Sequence, residues 1–118
     1  MDKVDIIAAL AALAQETRLD IFRLLIQAGP DGLPAGHISE RLGLPSATLS
    51  FHLSQLRHAG LVTFRREGRS LIYSAEIANM NTLLAYLTEN CCQGDPAACG
   101  VEICDGTKLE KPKQRRTT

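Results

Sequence analysis

No run of apolar residues in this 118-residue chain approaches the roughly 18 that a membrane-spanning helix needs. Tryptophan is absent, and so is any Gly-rich phosphate loop, which removes a common signature of nucleotide-using enzymes. Net charge is absent too: 13 Lys and Arg balance 13 Asp and Glu, so whole-chain charge names no partner. The first 90 residues hold no cysteine, and no histidine lies near the four that follow, which leaves little support for a Cys–His catalytic pair. Residues Ile6 to Ala14 have the length of a signal-peptide core, but Asp2 and Asp5 outweigh Lys3 where such a segment wants positive charge. A cytoplasmic protein without a targeting segment is expected. A 45% apolar and 22% charged composition at this length predicts one globular domain.

The zero net charge hides blocks. Residues 1–40 hold three bases against six acids, whereas residues 41–75 hold Arg41, Arg57, Arg65, Arg66 and Arg69 against Glu67 alone. From Glu76 to Thr107 there are five acids and no base, and the last eleven residues turn basic again. Separate surfaces with separate tasks are one reading of this alternation, and the basic middle block is the segment suited to a polyanion.

Hydrophobic spacing gives the element order. Ile6, Leu10 and Leu13 predict a helix over residues 3–13. Thr17 and Asp20 look like the start of a second, apolar nearly all round from Leu19 to Ile26 and so expected to be buried. Gly29-Pro30 ends it, and Asp31-Gly32 continues the turn. A short third helix follows Pro34, carrying Ile38 and Leu42 on one face and stopping at Gly43. Pro45-Ser46 opens a fourth with Leu49, Leu53 and Leu56 inward, ended by Gly60. Leu61–Arg65 and Leu71–Tyr73 change to strand patterning around Glu67-Gly68-Arg69, a hairpin. Residues 76–90 return to a helix with Ile77, Met80, Leu83, Leu84 and Leu87 as its stripe. The fold expected is mainly α with a β-hairpin wing, a winged helix-turn-helix.

The connection Gly43-Leu44-Pro45 allows only a sharp crossing of the third and fourth helices, and the second helix of such a pair can enter a DNA major groove. Its outward positions are Ser46, Ala47, Ser50, Phe51 and Ser54, with Thr48, His52 and Gln55 on the flanks. Small hydroxylated residues let the backbone approach DNA and bond to bases or phosphates, while Gln55 reaches further. A solvated helix face with an N-cap serine is the competing reading. Arg65, Arg66 and Arg69 at the hairpin decide between them. A wing straddles the phosphate backbone, where each arginine releases counterions, and Glu67 can pair with only part of this set. Double-stranded DNA is the expected partner.

The runs ALAQETRLDIFRLL, HISERLGLPSATLSFHLSQLRHAGLV and RREGRSLIY resemble the ArsR/SmtB family of metal-sensing transcriptional repressors over about residues 5–87. The resemblance implies a homodimer built on the first and last helices, operator binding without inducer, and release when a metal or metalloid binds. Ser50, His52, Leu53, Leu56, Ala59, Gly60, Leu61 and the Arg65–Arg69 wing match the family pattern, while Phe51 departs from it. Residues 35–42 lack the cysteines of many arsenic sensors, and residues 76–90 lack the histidines of zinc sensors. The run TENCCQGDPAAC is similar to arsenic repressors of the family whose thiols lie past the last helix. Residues 1–90 are thus expected to bind DNA and dimerise, 91–107 to bind inducer, and 108–118 to form a basic, disordered tail.

Thiolates select soft ions. Trivalent arsenic takes three thiols, whereas zinc prefers four ligands in a tetrahedron. Adjacent Cys91-Cys92 lacks the spacer of structural zinc modules, and the acidic surroundings disfavour thiolates primed for redox chemistry. Arsenous acid condenses with protonated thiols and needs no thiolate. The ligands expected are Cys91, Cys92 and Cys99, with Cys104 spare and arsenite, antimonite or methylarsenite as inducer. A redox or persulfide sensor, or a cadmium, lead or zinc sensor, stays open.

Overall fold

The computed structural model describes residues 1–89. Residues 1–80 make one compact unit, and the remainder of the last helix, from Asn81, belongs to a second. Helix α1 (Lys3–Leu13) starts with a reciprocal cap: Asp2 accepts from the Asp5 N–H at 3.1 Å and Asp5 accepts from the Asp2 N–H at 3.3 Å. It buries Ile6, Ala9 and Ala12, not the leucines at the same spacing. The small alanines let neighbouring helices come close, and Leu10 is left exposed.

Helix α2 (Glu16–Ala28) begins one residue before Thr17, because the Gln15 side chain caps it by accepting from the Arg18 N–H at 2.9 Å. The expectation of a helix buried all round is corrected. Ile21, Phe22 and Leu25 are buried, whereas Leu19 and Ile26 reach solvent. The largest fully buried side chains among the described residues are Ile21, Leu25, Ile38, Leu49, Leu53, Leu56 and Leu61. That core joins α2 to helices α3 (Ala35–Leu42) and α4 (Ser46–His58).

The crossing between α3 and α4 forms as the sequence predicts. Gly43 takes the left-handed conformation (φ 66°, ψ 34°), which costs glycine no Cβ clash, and its N–H donates to the Ser39 carbonyl. The Leu44 N–H donates to the same carbonyl at 3.0 Å, and the Ser39 hydroxyl donates to the Leu44 carbonyl.

The hairpin is β2 (Val62–Glu67) paired antiparallel with β3 (Ser70–Ala75), in register from Val62 opposite Ala75 to Glu67 opposite Ser70. A third strand, β1 (Leu33–Pro34), pairs with the other edge of β3, giving the order β1-β3-β2. Two residues have no readable period, so the hairpin alone was predicted. The last helix, α5 (Ile77–Leu87), is anchored at its start by Asn79, whose Nδ2 donates to the Gly60 carbonyl at 2.8 Å. Of its expected stripe only Leu83 is buried; Ile77, Leu84 and Leu87 are exposed. Cys91, Cys92, Cys99 and the 108–118 tail lie outside the described residues.

Candidate nucleic-acid interface

Helix α4 buries Leu49, His52, Leu53 and Leu56, a stripe at spacings of three, one and three. The opposite face therefore carries Ala47, Phe51, Ser54 and His58 at helical intervals. Ser46, Thr48, Ser50, Phe51 and Gln55 are exposed, and Ser54 is half-buried. Pro45 occupies the N-cap and no side chain caps the helix, so Ser46 is its first helical residue and its hydroxyl is not used as a cap. The competing picture of an N-cap serine is thereby removed.

His52 is the exception among the residues expected on this surface. It is 9% exposed and sits against Arg18, whose Nη1 donates to its Nδ1 at 3.3 Å. Guanidinium only donates, so Nδ1 is the unprotonated nitrogen and the ring is the neutral Nε2–H tautomer. Arg18 also donates from Nε to the Ala12 carbonyl at 2.7 Å, tying the end of α1 to α4. The signal was present in the sequence: His52 lies three residues after Leu49 and four before Leu56, on the inward stripe.

Burial, and secondarily the Arg18 charge, hold His52 below its ordinary pKa of 6.5. The unfolded chain therefore binds a proton that the folded chain resists. His52's contribution to stability is complete above about pH 6.5 and declines as pH falls from there toward the lowered folded value. The urea midpoint is expected to drop between pH 7.5 and 5.5, and to drop less in His52→Gln. Equal pH dependence in the two proteins would remove this role from His52.

On the wing, Arg65, Arg66 and Arg69 are all exposed. Arg65 pairs with Glu67 at 2.7 Å and donates to the Asp31 carbonyl at 3.0 Å, which ties the turn half of β2 to the segment before β1. Arg66 and Arg69 have no ion-pair or hydrogen-bond partner among the described residues. Arg57 belongs to the basic block of residues 41–75, and its position is a tertiary matter. Its guanidinium lies 5.1 Å from the centroid of Phe64, a cation–π contact that fastens the last turn of α4 to β2. Only the folded arrangement brings these two side chains together. Between α4, α3 and β3 lies a groove of about 410 Å³, lined in part by Ser39, Ala47, Ser50, Leu71 and Tyr73. Helix face, groove and unpaired arginines supply hydroxyl donors and positive charge, and neither α4 nor the groove lining carries an acidic residue.

Residues 13–64 match a family model described as a helix-turn-helix domain. The chain is 33% identical over 89 residues to the transcriptional activator HlyU of Vibrio cholerae serotype O1, covering 75% of this chain and 80% of that one. It is 38% identical over 79 residues to a candidate arsenical resistance operon repressor, ArsR, of Halobacterium salinarum, covering 67% and 60%. Among solved structures, it is similar to the homodimeric winged helix-turn-helix DNA-binding domain of Mb0332 from Mycobacterium bovis, a possible ArsR-family regulator. The TM-score is 0.58 at 26% identity, over 78% of this chain and 85% of that one.

Proposed function

Since the chain belongs to the ArsR/SmtB family of winged helix-turn-helix transcriptional regulators, we propose that it is a dimeric repressor. In this reading it holds double-stranded operator DNA and releases it when trivalent arsenic binds Cys91, Cys92 and Cys99. The observation that carries the inducer is the placement of every cysteine in residues 91–104, directly beyond α5. Three thiols match the donor number of trivalent arsenic, and the similarity to the H. salinarum protein points the same way. Among the described residues no group of three or more His, Cys, Asp or Glu side chains converges.

Dimerisation is supported by apolar side chains left exposed on two helices, Val4, Ile7 and Leu10 of α1 and Ile77, Leu84 and Leu87 of α5. The homodimeric Mb0332 domain supports it as well. A two-fold dimer presents its two α4 helices to half-sites about one helical turn apart. Inducer bound immediately after α5 bears on a helix that joins the subunits. A coupling of about 1–3 kcal/mol between such sites weakens DNA binding about 5- to 150-fold.

The test is fluorescence anisotropy of the reduced full-length protein on DNA from its own promoter, titrated with arsenite, zinc and an oxidant in turn. Arsenite is expected to release the duplex, at least about fivefold, and Cys92→Ser to abolish that response while binding DNA normally. Release by oxidant or zinc alone would replace the arsenic reading with a thiol redox sensor or a metal sensor. Tight binding indifferent to all three would overturn the account of the cysteines.

A further inference from the structure

Among the described residues, Phe51 is 57% exposed, exceeded among large apolar side chains only by Val4 and Ile7 of α1. It projects from the outward face of α4, where its helical neighbours are Ala47 one turn before and Ser54 and Gln55 one turn after. Its ring is supported from below. His52 meets it edge-on, with centroids 5.5 Å apart and planes at 65°, and His52 is itself held by Arg18, which is fixed to the Ala12 carbonyl. An exposed aromatic ring braced in this way is held ready for contact at the surface of α4.

The rest of the face limits what that can be. From Ser46 to Leu56 there is no Lys, Arg, Asp or Glu. The face therefore lacks the bidentate cation that reads guanine O6 and N7 and the carboxylate that accepts from cytosine N4. What remains are hydroxyls that tolerate any base, an amide at Gln55 suited to adenine N6 and N7, the His58 imidazole at the end of the helix with its Nδ1 engaged by the Ser54 carbonyl, and apolar surface at Phe51 and the Thr48 methyl. The major-groove feature that apolar surface recognises is the 5-methyl group of thymine.

We propose that Phe51 is the specificity-determining residue of α4 and that it reads thymine methyl groups in an A·T-rich half-site. This rests on the DNA-binding reading above and adds the chemistry of the operator to it. Gln55 and Phe51 then address the two bases of A·T pairs from one helix.

The experiment begins by selecting duplexes from a randomised pool with the full-length protein. Each thymidine of the selected half-site is next replaced by deoxyuridine, which removes one methyl group and leaves pairing unchanged. At one or two positions the protein is expected to bind about fourfold more weakly, the effect of losing one buried methyl. Phe51→Ala is expected to bind the parent duplex more weakly and to be insensitive to deoxyuridine at those positions, with Phe51→Leu intermediate. Because Phe51 is exposed, both variants should unfold at the parent's urea midpoint, and the deoxyuridine arm does not alter the protein at all. Specific binding with no deoxyuridine-sensitive position, a G·C-rich half-site, or equal sensitivity in Phe51→Ala would overturn the proposal and leave DNA binding standing. Failure to select any duplex would overturn both.

Discussion

Gly32→Ala is expected to destabilise the protein by more than Gly29→Ala, although the two glycines share one backbone conformation. Gly29 has φ 78° and ψ −164°, and Gly32 has φ 70° and ψ −170°. This region is essentially closed to residues with a Cβ, so alanine at either position costs about 1–3 kcal/mol in strain. The surroundings differ. A Cβ on Gly29 meets nothing within 4 Å, whereas one on Gly32 collides with the Tyr73 backbone carbonyl. Relief requires β3 to move away from β1, where Leu33 stands opposite Tyr73. Losing one backbone hydrogen bond there adds about 1 kcal/mol. Urea midpoints of the two variants measure the difference directly, and equal midpoints would show that β3 yields without cost. At matched folded fraction, Gly32→Ala should also weaken DNA binding, because β3 carries one side of the wing.

Replacing Arg66 and Arg69 with alanine should weaken binding to every duplex, matched or random, by a similar factor. Both are exposed on the hairpin and neither has an ion-pair partner among the described residues, so each is available to a phosphate. A neutralised phosphate contributes a slope of about −0.9 to the dependence of log K on log salt. Each arginine that makes such a contact is therefore worth roughly fivefold in affinity at 0.15 M salt, and removing both from one wing roughly 30-fold. The plot should become shallower by about 0.9 per lost contact. Arg65→Ala should show a different pattern, since Arg65 is held by Glu67 and the Asp31 carbonyl. Its loss loosens the hairpin with a smaller change in salt slope. A slope unchanged in the Arg66/Arg69 variant would place the wing away from the phosphates.

These two results concern features that were legible to different degrees. The arginines were visible in the sequence as a basic block on a hairpin, and strand alternation located the turn that displays them. The helix-turn-helix was equally visible. The apolar spacing of Ile38 and Leu42, the Gly43 stop and the Leu49–Leu53–Leu56 stripe are all local signals, and each acts within a few residues of where it is read. His52 shows the limit of reading a face by eye. Its inward position follows from the leucine spacing, yet position 52 lies at the edge of that stripe, where flank and interior meet.

The sequence by itself determined the order of the five helices and the hairpin, the place and chemistry of the wing, and the confinement of thiols to residues 91–104. Periodicity, turn residues and composition are properties of neighbouring positions, and they act on the chain before it packs. Tertiary structure alone decided that β1 joins β3, that Arg57 stacks on Phe64, that Arg18 neutralises the role of His52 as a surface group, and that Gly32 admits no side chain. Each of these depends on residues of different elements meeting at a distance of a few ångströms. That distance is set by how the Leu25–Ile38–Leu53–Leu56 core closes, and no local pattern records it.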